Sequence, residues 1–170
     1  KRCMRFIAVK FYSGIILTND DVLSWYVKRF RVKQKFLFFP IIQKDQDFRL
    51  LLENALPVSK ILEDTYHLEG RQVLLFVGRL IDIKNLFFLL DALALVVNRY
   101  PKVILLFVGD GDQRVALERH AERNGLADHV IFAGKKQGED LYACYNVGQI
   151  FILPSYYERF GAVVNEALLA

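Results

Sequence analysis

The five-letter run LLFVG occurs twice in this chain, at residues 74–78 and again at residues 105–109, 31 positions later. Both copies are continuously apolar, which is typical of strands buried on both faces of a parallel sheet. Residues 84–99 between the copies have helical periodicity, and Pro101 ends that helix. A repeat of this length predicts a strand–helix–strand unit, and two copies are too few for a solenoid.

The alternation of strand and helix continues along the chain, and Gly125 is a C-cap signal for one of the helices. Such a pattern predicts the α/β class, as a Rossmann-like, doubly wound parallel sheet with right-handed crossovers. Ligands of such sheets bind beyond the carboxyl ends of the strands. The further predicted elements are helices at residues 112–124 and 138–146, strands at residues 129–133 and 149–153, and a helix from Ala162.

The first 70 residues do not continue this pattern. We expect residues 1–35 to be the tail of an N-terminal domain, and residues 36–72 to be an interdomain linker with the first elements of the next domain. Residues 73–170 would be that domain, and because Ala170 stands inside a predicted helix without a capping signal, we expect it to be truncated. The elements predicted before it are strands at residues 14–17 and 35–42, a helix at residues 20–29, and a charged stretch with a helical piece at residues 43–71.

The composition, 54% apolar and 25% charged, is that of a folded soluble protein. The longest apolar run, residues 86–97, contains Asp91 and is shorter than the roughly 18–20 residues of a membrane span. The basic start has no signal-peptide pattern. Cys3 and Cys144 lack metal-binding or redox spacing, so we expect reduced thiols in a cytoplasmic protein. The three scattered histidines give no reason to expect zinc.

Positive charge is concentrated at the start of the chain. Residues 1–35 hold nine Lys and Arg against two Asp, whereas the remainder is net acidic. This asymmetry favours an anionic partner or peripheral contact with the inner face of a membrane, and a solvated helix face is the competing interpretation. Residues 25–31 mix aromatic and basic side chains but lack an RNA-binding signature, so we expect no nucleic acid partner.

Two cations flank the turn after the first copy of the repeat. Arg79 offers a bidentate fork, Lys84 offers a point charge, and the start of the next helix adds its positive end. Asp82 is available as the N-cap of that helix. Together these features suit a phosphate or a diphosphate. Two ordinary solvated cations remain an equally good interpretation of the residues alone.

The second copy of the repeat is followed by GDGD at residues 109–112, which resembles two known motifs but fits neither. A dinucleotide fingerprint fails because Arg114 stands where the third glycine belongs and the next strand ends in Lys135 instead of an acid. An Asp-x-Asp metal site has no apparent third ligand. We therefore interpret the run as a tight strand-to-helix turn with Asp112 as the helix cap.

Two carboxylates lie near the end of the chain. Glu158 falls in the loop before the last helix, and Glu166 falls on that helix beside the small apolar residues Val163 and Ala167. An unpaired buried carboxylate is costly, so Glu166 needs a protein cation or a ligand hydroxyl, and the strand–loop–helix setting favours the ligand. The two carboxylates also fit the acid and base of a glycosidase, which the sequence leaves open.

Other residues at the predicted strand ends are also candidates for binding. The N–H groups of Phe160 and Gly161 at the start of a helix are suited to an anion. Lys135 and Lys136 end the third strand of this domain and either line a base or phosphate pocket or are solvated loop lysines.

Five motifs, in order and with family-like gaps, resemble the nucleotide-sugar-binding C-terminal half of the retaining GT-B glycosyltransferases of family four. The resemblance covers residues 73–170, and each motif alone is weak. The motifs are VGRL at residues 77–80 with Lys84, VGDG at residues 108–111, VIFAG at residues 130–134, LPS at residues 153–155, and the Glu-x7-Glu motif from Glu158 to Glu166.

The resemblance implies roles for the residues at matching positions. Arg79 and Lys84 would hold the donor diphosphate and stabilise the charge that develops on it, and Glu158 would meet hydroxyls of the transferred sugar, so these three are the candidate catalytic residues. Glu166 would meet the ribose diol. The binding set is completed by the amides of Phe160 and Gly161 near the distal phosphate and by Lys136 after the strand that borders the base. Similar enzymes generally need no metal or cofactor.

From the resemblance we expect a hexosyltransferase-type enzyme that transfers a sugar from a nucleotide diphosphate donor to a glycan or lipid-linked acceptor with retention, in polysaccharide or glycolipid biosynthesis. The isolated fragment would be inactive. The alternatives are an epimerase-like enzyme or a phosphorylase of the same fold, and a non-catalytic nucleotide- or glycan-binding module. Three departures from the family pattern are Arg159 in place of a small residue, the lack of a Pro-Asn-Gly-x-Asp turn near Pro40, and the missing continuation after Ala170.

Overall fold

The computed structural model describes residues 14–17, 24, 28, 35–38, 45–158 and 161–170. The chain divides into two compact units, Lys1–Ile42 and Gln43–Ala170. In the first unit, the strands β1 (Gly14–Leu17) and β2 (Lys35–Phe38) pair in parallel. The strands predicted at residues 14–17 and 35–42 are thus present over their described parts. Most of the helix predicted at residues 20–29 lies outside the described residues.

The second unit contains a four-stranded parallel sheet in the order β5–β4–β3–β6. Its central strands β3 and β4 are the two copies of the repeat, and they pair in register, so that Leu74 lies opposite Leu105 and Val77 lies opposite Val108. The predicted Rossmann-like α/β fold is therefore confirmed. The strands are β3 (Gln72–Val77), β4 (Val103–Val108), β5 (Val130–Gly134) and β6 (Ile150–Phe151).

Helices connect and cover these strands, and among the described residues none is long and apolar enough to cross a membrane. Short 3₁₀ turns occur at Asp82–Lys84 and Ala127–His129. The helices are α1 (Asp45–Asn54), α2 (Leu56–Thr65), α3 (Leu86–Val97), α4 (Arg114–Arg123), α5 (Glu139–Val147) and α6 (Ala162–Leu169).

The sheet has one apolar layer on each face, because successive side chains of a strand point to opposite sides. Val73, Leu75 and Val77 of β3 pack in the layer that α1, α2 and α5 cover, with part of α6. Phe76 of β3 and Phe107 of β4 pack in the other layer, which α3 and α4 cover. Burying one such large apolar side chain stabilises the fold by roughly 1.5–3 kcal/mol, so the continuous apolar strands require helices on both faces.

We expected residues 36–72 to hold an interdomain linker and the first elements of the next domain, and this segment contains two helices. Its second part forms α1 and α2, and Phe48, Leu52 and Leu62 of these helices are buried in the first apolar layer. The charged side chains that suggested a linker lie on the outer faces, where Lys60 pairs with Glu63 and Asp64. The helical piece is thus part of the core of Gln43–Ala170, while the functional division into domains stays a prediction.

Candidate functional site

The loops after β3 and β4 are bonded to each other at the carboxyl edge of the sheet. The Gly78 N–H donates to the Val108 carbonyl (2.9 Å), and the Leu80 N–H donates to the Asp110 carbonyl (3.0 Å). A Cβ added at Gly109, where φ is +145°, would overlap the carbonyl oxygen of Gly78. Glycine is therefore required by the close approach of two backbones, and the tight-turn interpretation of the GDGD run agrees with this geometry.

The two helix caps predicted at this edge are wrong. Asp82 begins a 3₁₀ turn and accepts a hydrogen bond from the Gln113 side chain (3.3 Å), while the N-cap of α3 is Asn85 in the left-handed conformation. The N-cap of α4 is Gln113, and no side chain caps it. The local sequence favoured Asp82 and Asp112, but the packing of the two loops decides where each helix begins.

Lys84 and Glu158 form an ion pair between the loop after β3 and the loop after β6. The Lys84 side chain is only 12% exposed and the Glu158 side chain is 33% exposed. Ser155 Oγ also donates to Glu158 Oε2 (3.4 Å). Two residues that are 74 positions apart in the sequence thus meet at the edge where the sequence placed them both.

Two further bonds hold these loops together. The Tyr156 N–H donates to the Ile83 carbonyl (2.9 Å), and Asn85 Nδ2 donates to the Pro154 carbonyl (3.3 Å). Asn85 is in the left-handed region, with φ of +56°, which asparagine tolerates better than most residues. Sequence reasoning gave Asn85 and Ser155 no role in the site, although an asparagine between a turn and a helix is a signal for such a conformation.

The start of α6 lies beside Glu158. Gly161 is the N-cap of α6 in the left-handed conformation, and a Cβ there would come within 3.3 Å of Glu158 Cγ. The predicted anion contact at this helix start also involves Phe160, which lies outside the described residues. Gly161 therefore joins Lys84 and Glu158 in one cluster, which we name the edge cluster.

Glu166 has a partner within the protein that the sequence did not indicate. The Tyr145 hydroxyl on α5 donates to Glu166 Oε2 (2.6 Å), and Val163 and Ala167 on the same side of α6 pack against the core. The apolar stripe predicted around Glu166 is present, and the partner of the Glu166 carboxylate is a tyrosine hydroxyl and not a cation. Burial raises the pKa of Tyr145 above its usual range and the Glu166 carboxylate raises it further, so the hydroxyl keeps its proton.

Among the described residues, the remaining predicted site residues form no side-chain hydrogen bond or ion pair with the edge cluster. Arg79 is exposed just after β3, and its side chain forms no hydrogen bond or ion pair with any described residue. Lys136 is half-buried in the loop after β5, while Lys135 is exposed. Burial raises the pKa of the Cys144 thiol to about 12, and the Lys136 charge acts in the opposite direction, so its ammonium group lies within electrostatic range of α5.

The fold is a Rossmann-like α/β protein in which Lys84, Glu158 and Gly161 lie together at the carboxyl edge of the parallel sheet. The sequence profile described as "Glycosyl transferases group 1" matches residues 59–170. The chain therefore belongs to the group 1 glycosyl transferase family.

Curated relatives agree with this assignment. The chain is 31% identical over 107 residues to the alpha-D-kanosaminyltransferase of Streptomyces kanamyceticus, covering 63% of this chain and 28% of that protein. It is 33% identical over 162 residues to the mannosylfructose-phosphate synthase of Agrobacterium fabrum, covering 91% of this chain and 35% of that protein. The chain thus spans about a third or less of the length of these relatives.

Solved structures share the fold. The HepE protein of Anabaena, crystallised with UDP and glucose, superposes with a TM-score of 0.77 at 22% identity, covering 99% of this chain and 45% of that one. WaaG, a glycosyltransferase involved in lipopolysaccharide biosynthesis, superposes with a TM-score of 0.72 at 21% identity, covering 91% of this chain and 41% of that one.

In the part of the chain that the structure describes, no group of three or more His, Cys, Asp or Glu could hold a metal ion.

Proposed function

We propose that this chain forms the nucleotide-sugar site of a hexosyltransferase-type glycosyltransferase. The enzyme transfers a sugar from a nucleotide diphosphate donor, with retention of anomeric configuration, to a glycan or lipid-linked acceptor in polysaccharide or glycolipid biosynthesis. The acceptor class is suggested by relatives such as WaaG, and the donor class by the HepE protein, whose structures contain UDP and UDP-glucose. Membership of the group 1 family supports the reaction type.

The contact between Lys84 and Glu158 is the observation that carries this proposal. Two loops converge where parallel sheets bind their ligands, and they bring together one cation and one carboxylate. A diphosphate needs positive charge, whereas sugar hydroxyls need acceptors, and the pair offers both within a single contact. The start of α6 at Gly161 adds N–H groups and the positive end of a helix.

The other candidate site residues, Arg79, Glu166 and Lys136, have proposed roles in donor binding. Arg79, exposed and without a partner among the described residues, is available to clamp the diphosphate from solvent together with Lys84. Glu166 accepts hydrogen bonds from the ribose diol, and Lys136 borders the base or a phosphate.

During transfer, negative charge accumulates on the leaving diphosphate, and Lys84 and Arg79 stabilise it. One such preorganised donor is worth on the order of 3 kcal/mol in the barrier. Glu158 orients the sugar hydroxyls. In this proposal the acceptor attacks from the face that the diphosphate leaves, and the leaving phosphate assists removal of the acceptor proton, so no side chain of the chain has to act as a nucleophile.

We further propose a cytoplasmic location, with residues 1–35 contacting the inner face of the membrane. The support for this contact is the charge of that segment, which holds nine Lys and Arg against two Asp. Most of these residues lie outside the described part of the chain. We expect the isolated chain to bind donor weakly at best and to transfer no sugar.

The test is a thermal-shift screen of the chain against UDP, ADP, GDP and their sugar derivatives. A ligand that binds only the folded state at a hundredfold excess over its Kd adds about 2.7 kcal/mol, which raises Tm by roughly 5–10 °C for a chain of this size. Failure of every nucleotide to raise Tm would contradict the proposal.

Lys84→Ala tests the diphosphate contact, with Lys102→Ala as its matched control. Lys102 is exposed just before β4, at the opposite edge of the sheet. Since a charged hydrogen bond is worth about 1.5–3 kcal/mol, we expect Lys84→Ala to weaken binding of the best nucleotide about tenfold or more by calorimetry. Lys102→Ala should leave the affinity within twofold, and equal effects of the two variants would refute the assignment.

A further inference from the structure

Tyr145 is the residue whose position the proposed function does not explain. It is only 3% exposed, and its ring lies against Phe48 of α1 (centroids 6.3 Å apart) and Phe151 of β6 (6.5 Å). Packing on both sides leaves the ring little freedom, so the hydroxyl has a fixed position. That hydroxyl reaches across to α6 and donates to Glu166 Oε2 at 2.6 Å.

The bond orients Glu166 and uses only part of its capacity to accept hydrogen bonds. An ionised carboxylate has about four acceptor positions, and the tyrosine uses one of them. In the described part of the chain no Lys or Arg forms an ion pair with Glu166, so the carboxylate has acceptor positions that the tyrosine does not use. A carboxylate held this way is suited to accept hydrogen bonds from two adjacent hydroxyl groups, because its orientation is set before the ligand arrives.

From this geometry we propose that Tyr145 is a positioning residue for Glu166, and that the pair gives the site its preference for a ribose diol over a deoxygenated sugar. The inference rests on the proposed function, in which Glu166 meets the ribose. A purely structural tie between α5 and α6 would stabilise the fold but would not distinguish ligands that differ only in their ribose hydroxyls.

The experiment compares UDP, ADP and GDP with their 2′,3′-dideoxy analogues by calorimetry, on the chain and on Tyr145→Phe. Phenylalanine keeps the ring and its packing and removes only the hydroxyl. Because the Tyr145 hydroxyl acts on the ligand only through Glu166, its removal should cost less than the loss of a direct hydrogen bond to a charged group. We expect Tyr145→Phe to weaken binding of the ribonucleotide about three- to tenfold, while the dideoxy analogue binds within twofold of its wild-type affinity.

Tyr142→Phe is the matched control. Tyr142 is on the same helix and also packs on Phe48 (5.5 Å), but its hydroxyl bonds to no described residue, so the same oxygen deletion should leave every affinity unchanged. Glu166→Gln should abolish the ribose preference, and adding Tyr145→Phe to it should cause no further loss.

Three results would overturn the role of Tyr145. The first is an unchanged ribonucleotide affinity in Tyr145→Phe, and the second is an equal loss of affinity for the ribonucleotide and its dideoxy analogue in that variant. The third is an intact ribose preference in Glu166→Gln, which can be measured even if Tyr145→Phe does not fold. Failure of the wild-type chain to bind any of the three ribonucleotides would instead contradict the proposed function itself.

Discussion

At the scale of single residues, the proposed function gives Lys84 two competing partners, the Glu158 carboxylate and the donor diphosphate. Its ammonium group contacts Glu158, and most of its side chain is shielded from water. A diphosphate that recruits Lys84 competes with that carboxylate, so the measured affinity includes the cost of weakening the pair. Sugar hydroxyls that bond to Glu158 would offset this cost, which favours an intact nucleotide sugar over the bare nucleotide.

Cys144 gives a prediction at the same scale. Its thiol is fully buried on α5, and burial raises its pKa from 9.0 to about 12. Since the thiolate is the reactive form, we expect iodoacetamide to label Cys144 far more slowly in the native chain than in urea. Mass spectrometry of a Cys3→Ser variant follows this thiol alone, and equal labelling rates in both states would contradict the expected burial.

The raised pKa of Cys144 also predicts how stability depends on pH. The folded state favours the neutral thiol, so this stabilisation is complete below pH 9 and is lost as the pH rises towards about 12. Urea unfolding should show the free energy of unfolding falling over this interval, with a shallower fall in Cys144→Ala. Parallel curves for the two proteins would rule out a contribution from the thiol.

The partner of Glu166 marks a limit of sequence reasoning about residues. The spacing of Glu166 with Val163 and Ala167 correctly indicated one packed face, and the cost of a buried carboxylate correctly demanded a partner. The sequence could not identify Tyr145, because that residue is 21 positions away on another helix. Only the packing of α5 against α1 and β6 turns its hydroxyl towards α6.

At the scale of elements, two segments have boundaries that differ from the predicted ones because of tertiary contacts. The helix predicted at residues 84–99 begins at Leu86, because the left-handed Asn85 separates it from the preceding 3₁₀ turn. The strand predicted at residues 149–153 pairs only over Ile150–Phe151, and it is an outer strand with a single neighbour, β3. The strands β3 and β4 were predictable because a long, continuously apolar run has to be buried on both faces of a sheet. The sequence around the two shifted boundaries has no pattern as strong as such a run.

The loop after β4 carries a prediction of its own. Gly109→Ala would place a Cβ against the backbone of Gly78, which cannot give way because it is itself bonded to Val108. We expect a loss of about 4 kcal/mol or more in the free energy of unfolding, measured in urea, or no folded protein.

Gly125→Ala is the control for this substitution. Gly125 has a positive φ of +69°, but a Cβ there would meet nothing within 4 Å. The backbone strain alone should cost about 1–2 kcal/mol. If the two variants lost the same stability, the close approach of the two loops would not be the reason for glycine at residue 109.

At the scale of the whole molecule, Gln43–Ala170 has its own two-layered core. We therefore expect residues 43–170, expressed alone, to fold and to unfold in one cooperative transition in urea, with the same midpoint by circular dichroism and fluorescence. Two separate transitions, or a chain that stays unfolded, would contradict the assignment of α1 and α2 to this unit. A chain of residues 73–170 is the control, since it lacks Phe48 and Leu62 and should not fold stably.

The in-register repeat at the centre of the sheet has a consequence for folding fidelity. Residues Leu74 to Val77 of β3 are identical to residues Leu105 to Val108 of β4. Burial of these side chains therefore does not distinguish the place of β3 in the sheet from that of β4. An exchange of the two strands would keep nearly all of the apolar contacts within the sheet. We infer that the native order depends on segments outside the shared residues, among them the 3₁₀ turn with Lys84 after β3 and the glycine turn after β4. On this inference, the loops at the carboxyl ends of β3 and β4 would also protect the chain from a strand-swapped misfold.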